Sequence, residues 1–199
     1  KDGFFYSRYD EPKSGEELKQ KNEFQKLYYH KLGTAQSEDQ LIIQDIENPK
    51  RGWGASVTDD EKFLIISVWE GSSSKNMLWY KNLEENSAII KLAETPDASY
   101  DFVENIGDQF FISTNLDAPN NKVVLVDSKN STKSNWKVII PESKDVIQNV
   151  SLLDNKLFVT YLKDATNAVS VFTTEGKFLY NVELPSIGTV SGFGGKKED

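Results

Sequence analysis

The side chains that could do chemistry in this chain are few, and their spacing suits little of it. A serine nucleophile on a sharp elbow needs Gly-x-Ser-x-Gly between a strand and a helix. The nearest stretch, Gly71-Ser72-Ser73-Ser74-Lys75, lacks the second glycine and the helix. A Ser-His-Asp triad needs a histidine, and the chain has one, His30, inside the strand-like Tyr28-Tyr29-His30-Lys31. There is no cysteine, hence no disulfide, no thiolate nucleophile and no cysteine zinc site. One histidine without cysteines leaves zinc short of its usual ligands. No Asp-x-Asp-x-Asp-Gly loop marks a calcium site. Asp59-Asp60-Glu61 offers the paired carboxylates of glycoside hydrolysis, but it falls between two strand-like runs, where acids serve as solvated turn residues. Gly192-Phe193-Gly194-Gly195 is a tail whose lone glycine cluster opens no helix, as a phosphate-binding loop would. The residues alone therefore point to no catalytic group, no metal and no cofactor.

What the chain does have is a repeated frame. A turn led by Asp or Gly precedes an aromatic or aliphatic strand four times. The copies are Asp2-Gly3-Phe4-Phe5-Tyr6, Asp59-Asp60-Glu61-Lys62-Phe63-Leu64, Gly107-Asp108-Gln109-Phe110-Phe111 and Asp154-Asn155-Lys156-Leu157-Phe158. Asp2, Asp60, Asp108 and Asp154 lie 58, 48 and 46 residues apart. A second strand mark follows each, starting at Leu27, Leu78, Val123 and Val169, with spacings of 51, 45 and 46. Short strands recurring every 40–50 residues or so are the mark of β-propeller blades. The expected fold is all-β: a propeller of about four blades, each a four-stranded antiparallel sheet, in a partial or rearranged ring.

The expected modules are residues 2–46, 52–93, 98–141 and 146–184 of a single propeller fragment, with 187–194 opening a further blade. The first module reads as strands Gly3–Tyr9, Gln25–Leu32 and Asp39–Asp45, without an opening strand. The charged stretch Asp10–Glu23 reads as a long hairpin loop with a helical turn around Glu16–Lys21. The second module reads as Gly54–Thr58, Lys62–Trp69, Asn76–Leu83 and Ser87–Ala93. Lys62–Trp69 is nearly all apolar, as a strand covered on both faces should be. The third reads as Tyr100–Glu104, Gln109–Thr114, Lys122–Asp127 and Trp136–Pro141. The fourth reads as Ile147–Leu152, Lys156–Leu162, Ala168–Thr173 and Phe178–Leu184, with Thr174-Glu175-Gly176 as a hairpin turn. Thr189–Phe193 reads as one more opening strand.

Composition limits the partners. Of 199 residues, 38% are hydrophobic and 12% aromatic, enough for a packed core. Twenty-three Lys and Arg against 31 Asp and Glu give −8, with the two signs interspersed. That favours a solvated surface and disfavours nucleic acid, which needs a basic patch. No run of about 18 apolar residues spans a bilayer. The start shows neither a signal-peptide plan nor an initiator Met and goes straight into a strand. We expect a soluble piece of a longer chain, its compartment (cytoplasmic or periplasmic) left open. Sequons stand at Asn130 and Asn149, the latter inside an expected strand.

Specific strings narrow this further. Asp2-Gly3-Phe4-Phe5-Tyr6-Ser7-Arg8-Tyr9, then Gln25–Thr34 with Gln36-Ser37-Glu38-Asp39, resemble the propeller domain of the prolyl oligopeptidase family. So do Gly54-Ala55 with Asp59-Asp60, Leu64–Gly71, Leu78-Trp79-Tyr80, Thr114-Asn115 with Pro119-Asn120, and Trp136–Glu142. The likeness is collinear and covers essentially the whole chain. It implies an interior stretch of a seven-bladed propeller that caps a separate serine peptidase domain. It implies a parent that cleaves short peptides after proline, with the propeller admitting substrates by size. This chain would then be non-catalytic alone. Its partners would be the parent's peptidase domain and, in the full enzyme, short proline-containing peptides.

The resemblance also implies site residues. Where family members often have Arg-Glu-Gly-Cys, this chain has Trp69-Glu70-Gly71-Ser72, and a position that can be Met is Gly52, beside Trp53. Gly52, Trp53, Trp69 and Ser72 are thus expected to face the substrate cavity of the full enzyme. The rival reading is a free-standing propeller that binds a protein or a glycan. Open blade edges also predict some self-association; four blades of a larger ring close tighter, stay open or pair edge to edge.

Overall fold

The computed structural model describes residues 2–12, 14, 15, 19, 21–85 and 87–195. Most of the helical turn expected around Glu16–Lys21 lies outside the described residues. The fold is all-β. Among the described residues fifteen strands form four sheets, each a meander in chain order. Sheet 1 holds β1 (Gly3–Arg8), β2 (Lys26–Lys31) and β3 (Gln40–Gln44). Sheet 2 holds β4 (Arg51–Val57), β5 (Phe63–Glu70), β6 (Asn76–Asn82) and β7 (Ile90–Ala98). Sheet 3 holds β8 (Tyr100–Ile106), β9 (Gln109–Thr114), β10 (Lys122–Asp127) and β11 (Lys137–Ile140). Sheet 4 holds β12 (Val146–Leu153), β13 (Lys156–Lys163), β14 (Thr166–Thr173) and β15 (Phe178–Asn181). The first sheet has three described strands, in keeping with a first module that lacks its opening strand. The chain divides into two compact units, Lys1–Asp97 and Ala98–Asp199.

In the first unit, sheets 1 and 2 share a core. Leu27 and Ile43 pack with Trp53, Leu64, Ile66, Val68, Met77 and Trp79. Alternate residues of a strand point to opposite faces, so Leu64, Ile66 and Val68 serve this core while Phe63 and Ile65, also buried, serve the other face. That is why β5 reads as an unbroken apolar run. The connector between the sheets is clamped by one carboxylate. Asp45 accepts from the Asn48 side chain at 2.9 Å, from the Asn48 N–H at 3.0 Å and from Arg51 at 2.7 Å.

In the second unit, Phe111, Val123, Ile139 and Ile140 of sheet 3 pack with Ile147, Val150, Leu152, Leu157 and Val159 of sheet 4. Here the connector is held mainly by amides. Asn120 donates to the Ser143 carbonyl at 2.9 Å and Asn121 to that of Ile147 at 2.7 Å.

Several sequence expectations shift: β4 starts at Arg51, not Gly54, and β15 ends at Asn181, not Leu184. A strand expected at Ser87–Ala93 is observed at Ile90–Ala98. Ser87 is tied to the turn, its hydroxyl oxygen accepting from the Asn82 N–H at 3.0 Å. Pro96 does not end the strand, because β7 is the edge of its sheet and an edge strand tolerates a missing N–H. The strand expected at Thr189–Phe193 does not form. Instead the Val190 N–H donates to the Asn167 side chain at 2.8 Å, and Phe193 stacks on Phe158 at 5.5 Å. The segment lies against sheet 4 without joining it.

Candidate functional site

The residues expected at a cavity gather at one end of β4 and β5, but not all on one face. Gly52 pairs with Trp69 and Gly54 with Ser67 across the two strands. The Trp69 indole lies over the backbone of β4. A Cβ added at Gly52 would stand 2.3 Å from Trp69 Cε2 and Nε1, and one at Gly54 would stand 3.3 Å from Cζ3. Glycine at 52 is therefore a packing requirement: the ring occupies the volume a side chain would need. With its underside seated on this backbone, Trp69 stays 36% exposed.

Trp53 sits between the two glycines and so points to the opposite face. It is 2% exposed, packs on Trp79 at 5.4 Å and donates its indole N–H to the Gln25 carbonyl at 2.9 Å. The Gln25 side chain in turn accepts the Trp53 main-chain N–H at 2.7 Å. Ser72 is exposed in the turn after β5, next to Gly71, whose φ of +61° is left-handed and suits glycine. The four residues thus divide: Trp69 and Ser72 face solvent, Gly52 lies beneath Trp69, and Trp53 is a core residue on the far side of the sheet.

The remaining chemical candidates resolve into structure. Asp60 accepts from the Thr58 hydroxyl at 2.7 Å and the Lys62 N–H at 3.2 Å, which makes it a turn former. Ser73 accepts the Lys75 N–H at 3.1 Å. His30 lies 2.6 Å from Asp39 Oδ1 through Nδ1, with its ring 5.1 Å from Phe4. None of Ser72, Ser73 or Ser74 is among its partners. Asp39, almost fully buried, also accepts the Tyr6 hydroxyl. The bond from Tyr6, helped by the one from His30, holds the Asp39 carboxyl below the usual carboxylate range, against the upward push of burial. The same bond raises the Tyr6 hydroxyl.

This Tyr6–Asp39–His30 network was not legible as a site, since its members come from β1, β2 and the turn before β3. All three stood in the strings that carried the resemblance, but nothing in those strings showed that they meet. Among the described residues no group of three or more His, Cys, Asp or Glu could hold a metal ion.

Comparison with known proteins assigns this frame. The family model for the prolyl oligopeptidase N-terminal β-propeller domain matches residues 1–199. A prolyl endopeptidase of Elizabethkingia meningoseptica is 36% identical over 198 residues, covering 100% of this chain and 28% of that protein. One of Elizabethkingia miricola is 34% identical with the same coverage. A structure from work on two prolyl endopeptidases superposes with a TM-score of 0.89 at 36% identity, over 100% of this chain and 28% of that one. Prolyl oligopeptidase B from Galerina marginata, solved with a 35-residue hydrolysis and macrocyclization substrate, gives 0.89 at 25% identity, with the same two coverages. The chain spans little more than a quarter of the length of these relatives. A repeat of four strand modules, sheets that follow it and a match along every residue agree: the chain belongs to the prolyl oligopeptidase family, to its N-terminal β-propeller domain.

Proposed function

We propose that this chain is the non-catalytic propeller portion of a serine-type prolyl endopeptidase. A separate peptidase domain of the parent supplies the bond-breaking groups and cleaves short peptides after proline. The propeller caps that domain and filters substrates by size. The observation that carries the reading is the match itself: it runs along the whole chain, falls wholly within the propeller family model and covers 28% of its relatives. The arrangement of hydroxyls and the single histidine is in keeping with it.

Within this reading Trp69 and Ser72 touch the substrate side, Gly52 shapes that surface by seating Trp69, and Trp53 holds the sheet from behind. The test uses the full-length parent. Trp69→Ala changes kcat/KM for short prolyl peptides by about tenfold, the scale of a lost apolar subsite. The same sequence embedded in a folded domain is cut far more slowly than as a free peptide. Unchanged kinetics in the variant would remove Trp69 from the cavity, and equal rates on free and folded substrates would remove the size filter. Self-association through open sheet edges is part of the proposal. Sedimentation at rising concentration checks it, and a strict monomer contradicts it.

A further inference from the structure

A concavity lies within the unit Ala98–Asp199, away from β4 and β5 in sequence and not used by the reading above. It is a groove of ≈ 460 Å³ between the outer strands of sheet 4 and the connector that leaves sheet 3. Asp145, Tyr161, Lys163, Asn167, Asn181 and Leu184 line it. Tyr161 and Lys163 alternate on β13, so both side chains leave the same face of the strand.

The polar groups divide into those already engaged and those left over. Asn167 is engaged three times: it donates to Gln148 Oε1 at 2.6 Å and to the Tyr161 carbonyl at 3.5 Å, and accepts from the Val190 N–H at 2.8 Å. Asn181 accepts the Ser170 hydroxyl at 2.8 Å. These amides build the wall. Asp145 is half-buried, yet only its main-chain N–H and carbonyl are bonded, both to Ser143 Oγ. Its carboxylate has no partner among the described residues. The Tyr161 ring packs against the aliphatic core while its hydroxyl is likewise unpartnered. Burial, and then the nearby Asp145 charge, push that hydroxyl up, so it stays protonated near neutral pH. The Lys163 ammonium at the rim has no carboxylate partner.

A concavity holding one unpaired acid, one unpaired base and a free phenol has a specific complement. The half-buried Asp145 carboxylate is stabilised by a cation, and the exposed Lys163 ammonium at the rim adds an attraction for an anion. A plain cation would satisfy Asp145 but meet Lys163, and a plain anion would do the reverse. We propose that this groove binds a small zwitterion of amino-acid to dipeptide size, its ammonium held by the Asp145 carboxylate and the Tyr161 hydroxyl oxygen, its carboxylate by the Lys163 ammonium. The volume falls in the range of small-molecule sites.

The test is a titration followed by amide NMR shifts, with glycylglycine compared against N-acetyl-glycylglycine and glycylglycine amide. Glycylglycine produces saturable shifts around Asp145, Tyr161 and Lys163, and each capped peptide binds at least about tenfold more weakly. Asp145→Asn weakens glycylglycine about tenfold and abolishes discrimination against the acetyl cap. Lys163→Gln does the same for the amide cap. Neither side chain holds a described partner, so both variants keep the fold, and unchanged Leu157 and Val159 resonances verify that. Equal binding of all three peptides overturns the proposal. So does discrimination that survives both variants, or an absence of saturable glycylglycine binding in the tens-of-millimolar range.

Discussion

The two units solve one construction problem with different chemistry. Each packs two sheets face to face and must pin the connector between them. The unit Lys1–Asp97 uses aromatic rings and carboxylates: Trp53 against Trp79 in the core, Asp45 gripping Asn48 and Arg51, and Asp39 buried under Tyr6 and His30. The unit Ala98–Asp199 packs mostly branched aliphatics with Phe111 between sheets 3 and 4, buries Tyr100 and Phe110 besides, and holds its connector by asparagine amides on main-chain carbonyls together with the Glu142 carboxylate on the Asn120 N–H. The first solution ties packing to the charge state of acids. The second leans on it less, with the Glu142 carboxylate beside amides that carry no charge. The contrast teaches that repetition in sequence fixes strand order but leaves each junction free to choose its own glue.

The largest expected effects come from the two cores. Trp53→Ala costs about 4 kcal/mol, because it opens a ring-sized cavity and leaves the Gln25 carbonyl without the indole N–H. Leu157→Ala costs about 3 kcal/mol, a cavity term alone. Urea unfolding measures both, and a smaller loss at Trp53 than at Leu157 would break the contrast.

A mid-sized effect tests the seat of Trp69. Gly52→Ala costs about 2 kcal/mol by overpacking against the indole. In a Trp69→Ala background the same change is close to neutral, and the double-mutant cycle reads the difference. Additive losses would show that the ring does not occupy that space.

The connectors come next. Asp45→Ala costs about 1.5 kcal/mol and Asn120→Ala about 1 kcal/mol, reflecting several bonds to a carboxylate against an amide on a main-chain carbonyl. Equal losses in the same urea series would erase the distinction between charged and amide latches.

The smallest effect concerns acid. Although burial pushes Asp45 up, the bonds from Asn48 and Arg51 leave it below its ordinary value. Asp39 is lowered by Tyr6 and His30. Asp2 is lowered by Tyr29. A carboxyl whose pKa is lower in the folded state contributes stability above the ordinary carboxylate range and loses it as pH falls through that range. In the second unit Glu175, on an exposed hairpin turn, is lowered by Thr173, and exposed bonds of this kind contribute little. Acid titration followed residue by residue should therefore loosen the first unit at a higher pH than the second. Simultaneous loosening would contradict that.

Much of the fold was readable because strands announce themselves by apolar runs between turn acids. The β5 run and the Thr173–Gly176 hairpin are cases in which local pattern and tertiary setting agree. Two misplacements share a cause. Pro96 reads as a breaker unless the strand is known to be an edge, and Thr189–Phe193 reads as a strand unless Asn167 is known to hold Val190. Both facts belong to tertiary pairing. The site was less legible. Trp69 and Gly52 could be named side by side, yet their mutual dependence is cross-strand geometry. Trp53, adjacent in sequence to Gly52, went with it until alternation separated their faces. The groove at Asp145 and Tyr161 gave no sequence signal, since an unpaired charge is visible only when its neighbours are placed.

We propose that these residues shape access to chemistry performed elsewhere in the parent. Incubation of the purified chain with a chromogenic prolyl reporter peptide tests this. No release above buffer is expected. Steady turnover that Ser72→Ala abolishes would contradict it.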